Sequence, residues 1–206
     1  PGAVRLRLSA YEVEGESVSK EIERQFEALR RIIPHNIIGY ETATMQELIH
    51  KLLTERRQTL ATAESCTGGT IAARFTAMPG ASAYFLCGVV SYSNASKQAV
   101  LGVDPDTIAR YGAVSEQVVR QMAEGVRHLA NAHYAIATTG IAGPTGGTPE
   151  YPVGSVWIAV SSPERTVSRL IRVRGNRSKV IRKAGSAALS LLEEEMLTEK
   201  TARYNP

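Results

Sequence analysis

Three separated segments carry hydroxyl, amine and glycine groups that could together hydrolyse an amide. They are residues 63–69 (AESCTGG), 91–97 (SYSNASK) and 138–147 (TTGIAGPTGG). A serine hydroxyl is a weak nucleophile near neutral pH and needs a base within hydrogen-bond reach. No segment contains a histidine, but a desolvated lysine can lose its proton near neutrality. Ser65 with Lys97 would form a Ser–Lys pair, and Tyr92 between them could relay or donate a proton.

Each of these residues also has an ordinary structural role, and spacing alone favours that role. A serine before a helix is a common N-cap, a lysine is usually solvated, and Tyr92 could simply be a buried strand residue. Cys66 is a second candidate nucleophile, although no neighbouring histidine or lysine in the sequence activates it. The glycines of residues 140–147 form either an anion-binding nest or a tight loop, and Arg177 either a phosphate contact or a solvated group.

The three segments each follow a predicted strand, at residues 59–63, 84–92 and 134–138. Strand ends converge at the ligand crevice of open α/β sheets, so the segments are expected to meet there. A helical pattern over residues 68–77 begins just after Ser65. Its free backbone N–H groups would stabilise negative charge developing on a substrate beside Ser65.

Helices alternate with strands along the chain, which predicts an α/β fold. We expect a three-layer α/β/α sandwich with a mixed, mostly parallel sheet. Further helices are predicted at residues 17–33, 44–55, 95–101, 104–110 and 176–195, and further strands at 4–10, 36–40, 153–160 and 166–173. Asp104 and Ser115 are predicted N-caps, with Pro105 at the first helical position. The helix after Ser115 should bury one face, made of Val118, Met122, Val126 and Leu129.

The chain is expected to contain two domains and a tail. Residues 1–41 would be a small β-α-β module, residues 42–198 the main domain and residues 199–206 the tail. The first residue is Pro1 rather than Met, which favours a piece of a longer protein. No apolar run is long enough to span a bilayer and no signal peptide is visible, so we expect a cytoplasmic location without a membrane partner.

The composition is that of an ordinary globular protein and points to no metal. The 206 residues carry a formal charge of +4, which is weak support for nucleic acid and fits a phosphorylated small molecule equally well. The two cysteines are expected to be reduced core residues, and the four histidines form no metal-ligand pattern. No cofactor is implied.

Five motifs in one order resemble the CinA C-terminal domain family, also known as PncC-type nicotinamide-nucleotide amidohydrolases. They are TAESCTGG, VVSYSNASK, GAVSE, TGIAGPTGG and PVGSVWIA. The resemblance covers residues 44–195. The N-terminal module resembles the small KH-like segment that joins the two halves of full-length CinA proteins. That resemblance implies an upstream domain similar to molybdopterin-binding domains.

The resemblance implies metal-independent hydrolysis of the carboxamide of nicotinamide mononucleotide, giving nicotinic acid mononucleotide and ammonia. It makes Ser65 the nucleophile and Lys97 the general base, with Tyr92 assisting proton movement or positioning the amide. The glycine-rich loop and the turn after Ser65 would clasp the phosphate or ribose. It also places Thr139 in the pocket and Arg177 in contact with the substrate. The full set of expected substrate-binding positions is Cys66, Thr67, Gly68, Gly69, Asn94, Thr139, Gly140, Gly143 and Arg177.

Two other functions remain open. Some members of this family are reported to lack deamidase activity, so the domain could instead be a nucleotide-binding or regulatory domain of a CinA (competence/damage-inducible) protein, without turnover. Nucleic-acid binding through the KH-like module is weaker, because that module has no GxxG loop to clamp a backbone. A homo-oligomer is expected by analogy with relatives.

Overall fold

The computed structural model describes Leu8, Val18–Ile32 and residues 44–203. The chain forms two units, residues 1–44 and residues 45–206. In the first unit, helix α1 spans Val18–Ile32, close to the predicted bounds. Its surface carries an exposed ion pair between Glu21 and Arg24. The strand predicted at residues 36–40 lies outside the described residues, as does that at 4–10 apart from Leu8, which is in no strand.

The second unit is built on a five-stranded sheet in the order β2-β1-β3-β4-β5. Its strands are β1 Leu60–Glu64, β2 Phe85–Val90, β3 Tyr134–Gly140, β4 Ser155–Ser161 and β5 Thr166–Arg172. Strand β1 pairs in parallel with β2 and β3, whereas β4 is antiparallel to β3 and β5. Four strands therefore run one way and β4 the other, which confirms the predicted mixed, mostly parallel sheet.

Helices cover both faces of this sheet, as predicted for three layers. They are α2 Met45–Arg56, α3 Thr70–Thr76, α4 Asn94–Leu101, α5 Pro105–Tyr111, α6 Glu116–Ala130 and α7 Arg177–Arg203. Helices α2, α3 and α7 share one apolar core with the sheet, and α4, α5 and α6 share the other. Among the described residues, no helix has the length and apolar character needed to cross a bilayer.

Helices α5 and α6 begin at the N-caps that the sequence predicts. The Asp104 carboxylate accepts from the Asp106 N–H, and the Ser115 hydroxyl accepts from the Val118 N–H. The prediction for Leu129 is wrong, because this side chain is 56% exposed. The buried stripe of α6 ends at Val126, and Leu129 lies in the last turn beyond it.

Two helix boundaries differ from the prediction. Helix α3 begins at Thr70, because Gly68 and Gly69 have φ angles of +62° and +92°, which a right-handed helix does not allow. Helix α7 extends to Arg203 and so includes residues 199–203, which the sequence had assigned to a tail. The side chains predicted to face inward from α7 are buried: Val180, Ala184, Ala188 and Leu191.

Candidate active site

Ser65 and Lys97 meet at the edge of the sheet where β1 and β3 end. The Lys97 Nζ donates to Ser65 Oγ at 3.2 Å and to the carbonyl oxygen of Ser91 at 2.9 Å. The Ser65 N–H donates to the Thr138 carbonyl at 3.0 Å, which extends the β1–β3 ladder by one residue. The structure therefore places the predicted nucleophile and base in direct contact, 32 residues apart in the chain.

Helix α4 supplies the lysine, and its start is fixed by a reciprocal cap. The Ser96 N–H donates to the Ser93 hydroxyl, while the Ser93 N–H donates to the Ser96 hydroxyl. Lys97 follows in the first turn. The Ser91 N–H donates to the carbonyl oxygen of Glu64 at 2.9 Å, which ties the residues before α4 to the end of β1.

The surroundings of the Lys97 amine favour its neutral form. Lys97 is 2% exposed, and this burial lowers its pKa below the usual 10.5 because it disfavours the charged form. In the part of the chain that the structure describes, Lys97 forms no ion pair, and both of its hydrogen-bond partners are uncharged. A neutral amine at this position can accept the proton of Ser65.

Cys66 is unsuited to act as the nucleophile. Its side chain is buried, and burial raises the pKa of the thiol to about 12. The attacking form of cysteine is the thiolate, which is almost absent near neutral pH at such a pKa. Of the two nucleophiles that the sequence left open, Ser65 is therefore the one that this geometry supports.

The backbone N–H groups after Ser65 are less free than the sequence suggested. The carboxylate of Glu64 accepts from the N–H groups of Gly69, Ile71 and Ala72 at 3.0, 3.1 and 2.8 Å. The Gly68 N–H donates to the Ser65 carbonyl. Within the described residues, no backbone carbonyl accepts from the N–H groups of Cys66 and Thr67 in this turn. The expectation of free donors at the start of α3 is thus wrong, because Glu64 occupies them.

Two threonines at the end of β3 face opposite sides of the sheet. The Thr138 hydroxyl lies 2.7 Å from that of Thr67, on the side covered by α3. Thr139 continues the face of Ala135 and Ala137, on the α6 side. Its hydroxyl donates to the carbonyl oxygen of Ala113 at 2.7 Å. Ser65 continues the face of Ala61 and Ala63, so Ser65 and Thr139 share one side of the sheet.

Arg177 connects the second and third sequence segments. Its guanidinium donates to the Gly143 carbonyl oxygen at 2.9 Å and to the Tyr92 hydroxyl at 2.8 Å. Tyr92 is 61% exposed rather than buried, and its recorded hydrogen bond is to Arg177 and not to Ser65 or Lys97. Asn94, the first residue of α4, is exposed.

Two glycines of residues 138–147 allow close packing at this edge of the sheet. A Cβ added at Gly140 would lie 2.6 Å from the Ser155 carbonyl oxygen, so glycine is required for β3 to approach β4 here. Gly143 has a φ of +80°, and a Cβ there would overlap the Val153 side chain. No group of three or more metal-binding side chains is found within the described ranges.

Sequence reasoning missed Glu64. An acidic residue at the end of a strand ordinarily indicates exposure to solvent, yet the Glu64 side chain is buried, at 1% exposure. Its position immediately before the nucleophile, five residues ahead of the cap residue Gly69, was the available signal. Only the folded turn shows that its carboxylate binds three backbone N–H groups.

Comparison with known proteins assigns the family. The profile described as the CinA C-terminal domain matches residues 42–196. The chain belongs to the CinA family. A protein of Thermoanaerobacter sp. (strain X514) named "Putative competence-damage inducible protein" is 42% identical over 95% of this chain. A "CinA-like protein" of Flavobacterium psychrophilum is 42% identical over 96% of it.

The matches cover 48% and 47% of those two CinA-family relatives, so the chain spans about half their length. Among solved structures, the competence damage-inducible protein A of Klebsiella pneumoniae has a TM-score of 0.72 and 38% identity, covering 74% of this chain and 95% of that one. A competence/damage inducible protein of Agrobacterium tumefaciens has a TM-score of 0.70 and 35% identity, covering 76% and 98%. The fold is therefore that of CinA-family structures.

Proposed function

We propose that this CinA domain hydrolyses the carboxamide of nicotinamide mononucleotide to nicotinic acid mononucleotide and ammonia without a metal. The observation that supports this most is the contact of 3.2 Å between Lys97 Nζ and Ser65 Oγ, at a lysine whose pKa is lowered by burial. The substrate is the one implied by the motif resemblance. Metal-free amide hydrolysis needs an activated nucleophile, an oxyanion site and an acid for the leaving group.

The chain's own groups can supply each proton transfer. Ser65 Oγ attacks the carboxamide carbon while Lys97 takes the hydroxyl proton. The N–H groups of Cys66 and Thr67, which are bonded to no backbone carbonyl among the described residues, hold the oxyanion. Lys97 then protonates the leaving nitrogen, ammonia departs and a nicotinoyl ester remains on Ser65. Water attacks that ester, Lys97 accepts its proton, and the proton returns to Ser65 as the acid is released.

Arg177 is the group best suited to contact the substrate phosphate. A guanidinium has five N–H donors, and the two recorded bonds of Arg177 leave others for a phosphate oxygen. The start of α3 does not offer a second anion site, because Glu64 fills it with its own negative charge. The Tyr92 hydroxyl accepts from Arg177 and keeps its proton for a substrate oxygen.

The test is ammonia release from nicotinamide mononucleotide by the full chain. We expect turnover that is lost in both Ser65→Ala and Lys97→Ala and is unaffected by a chelator. Tight binding of the nucleotide without ammonia would favour a non-catalytic regulatory domain. Turnover that survives in Ser65→Ala would remove the proposed nucleophile.

A further inference from the structure

Glu64 is a buried acid directly before the nucleophile, and no cationic side chain of the described residues is hydrogen-bonded to it. Its side chain lies on the α3 side of the sheet, the side of Leu60, whereas Ser65 lies on the α4 side. The hydrogen bonds recorded for its carboxylate, within the described residues, all come from backbone N–H groups. The carboxylate is therefore held by oriented amides at a helix start, where a negative charge is favoured, and the Arg74 guanidinium also attracts it electrostatically.

These bonds close the turn that carries Ser65. The two oxygens of Glu64 reach Gly69, Ile71 and Ala72, so the end of β1 is joined to the start of α3 across the residues between them. A second contact holds the middle of the turn against β3: the hydroxyls of Thr67 and Thr138 lie 2.7 Å apart. The position of the turn therefore depends on both the Glu64 hydrogen bonds and the Thr67–Thr138 contact.

Glu64 binds several backbone N–H groups near Ser65, so fewer N–H groups of the turn are available to a substrate. The Gly69 N–H is bonded to Glu64 and the Gly68 N–H to the Ser65 carbonyl, whereas in the described turn the N–H groups of Cys66 and Thr67 are bonded to no backbone carbonyl. Their direction relative to Ser65 Oγ follows from how the turn is anchored. Loss of the Glu64 bonds would let α3 and these donors move relative to the nucleophile.

We propose that Glu64 is a positioning residue for the proposed amidase, holding Ser65 and the Cys66–Thr67 N–H groups in register with the reacting carbonyl. This role rests on the proposed function. It acts through the turn and not through contact with substrate. Misplacement of reacting groups by about 1 Å can cost about a hundredfold in rate, so a loosened turn should lower kcat rather than raise KM.

The main test is Glu64→Gln in the full chain. An amide puts an NH₂ donor where one carboxylate oxygen accepts, so at least one of the three N–H groups loses its acceptor. We expect kcat to fall about tenfold to a hundredfold, with KM changed by less than about threefold. The low-pH limb of the kcat/KM profile should stay in place, because Lys97 keeps both of its hydrogen bonds.

Glu195→Gln is the matched control. Glu195 is also buried, at 4% exposure, and its carboxylate accepts two bonds of 2.8 Å from Arg165. It lies near the start of β5, at the opposite edge of the sheet from Ser65. This variant should lower the melting temperature without lowering kcat. If Glu64→Gln lowers the melting temperature and leaves kcat within about twofold, the acid is only a structural cap and the proposal fails.

A second readout separates this proposal from the substrate assignment. A fluorophosphonate labels an activated serine: its phosphorus bonds to Ser65 Oγ, fluoride leaves and Lys97 takes the hydroxyl proton. We expect slower labelling in Glu64→Gln than in the unmodified chain, and none in Ser65→Ala. Normal labelling in Glu64→Gln would overturn the positioning role. Slower labelling in a chain that releases no ammonia would support Glu64 and overturn the proposed substrate.

Thr67→Val serves if Glu64→Gln does not fold. It removes the tie between the hydroxyls of Thr67 and Thr138 and leaves the backbone N–H of residue 67 in place. The same turn should then be displaced, with a fall in kcat and in the labelling rate. Unchanged values of both would contradict the premise that the position of the turn depends on both contacts, and the proposal would lose this support.

Discussion

At the scale of single residues, the proposed chemistry depends on the buried amine of Lys97, which has no ion-pair partner among the described residues. Lys97 contacts one hydroxyl and one carbonyl, which stabilise an ammonium less than an ion pair would. This arrangement differs from a structural salt bridge, in which a carboxylate would raise the lysine pKa and keep the proton on nitrogen. The surroundings of Lys97 consequently favour proton transfer, and they contribute less to the stability of the fold than an ion pair would.

Lys97→Arg should be inactive although it keeps the positive charge. A guanidinium stays protonated throughout the accessible pH range, so it can donate to Ser65 but not accept from it. We expect ammonia release to fall by about a hundredfold or more. Circular dichroism must show a folded chain for the comparison to count. Full activity of a folded Lys97→Arg would remove Lys97 from the role of base.

The activity should rise with pH as Lys97 loses its proton. The reactive form of Lys97 is the neutral amine, and its pKa lies below 10.5 because of burial. The plot of kcat/KM against pH should therefore increase through one ionisation below 10.5 and level off above it, since the free enzyme's base controls this parameter. A profile that falls over that range would require a protonated Lys97.

Cys66→Ala should retain the activity. The thiol has a pKa raised to about 12 by burial, so it contributes no thiolate near neutral pH. The backbone N–H of residue 66, which the mechanism uses, is unchanged by the substitution. We expect kcat within about threefold of the unmodified chain, because the small buried side chain is replaced by another. Loss of activity equal to that of Ser65→Ala would restore Cys66 as nucleophile.

At the scale of elements, the position of Lys97 depends on how closely α4 packs against α6. Gly125 allows this contact: a Cβ added there would overlap the Leu101 carbonyl oxygen and lie 2.9 Å from its carbonyl carbon. Leu101 ends the same helix that begins just before Lys97. Any shift of α4 that relieves the overlap moves the amine relative to Ser65.

In Gly125→Ala, a gain in helix propensity therefore competes with a loss of favourable packing between α4 and α6. Propensity alone would stabilise α6 by about 1 kcal/mol, whereas overpacking typically costs about 1 to 3 kcal/mol. We expect the packing cost to exceed the gain, with lower stability in urea and kcat reduced about tenfold. Gly185→Ala in α7 is the matched control, because the atoms nearest to its Cβ would belong to the Arg74 guanidinium, at 3.3 Å, and not to backbone. Greater stability of both variants would show that α4 does not touch α6 as described.

The elements that sequence could predict are those whose signals are local. The Asp104 and Ser115 caps need only their own neighbours, and both helices begin where expected. The meeting of Ser65 with Lys97 followed from a general property of strand ends. The late start of α3 and the burial of Glu64 did not, because both depend on the backbone conformation of Gly68 and Gly69.

At the scale of the whole molecule, the described residues of the candidate site all belong to one of the two units. The hydrogen bonds described for it join residues between Glu64 and Arg177, all within residues 45–206. The Klebsiella pneumoniae structure is covered to 95% by its match, which takes in 74% of this chain. A related chain that consists almost entirely of this domain therefore folds by itself.

Residues 42–206 should accordingly fold and work without the first 41 residues. The domain has its own two apolar cores, one on each face of the sheet. We expect a cooperative unfolding transition and a kcat within about twofold of the full chain, as for a domain that could fold alone. Ammonia release by the two proteins at equal concentration measures this. A folded fragment without turnover would show that residues 1–41 contribute to the site, and the single-domain account of the chemistry would then be wrong.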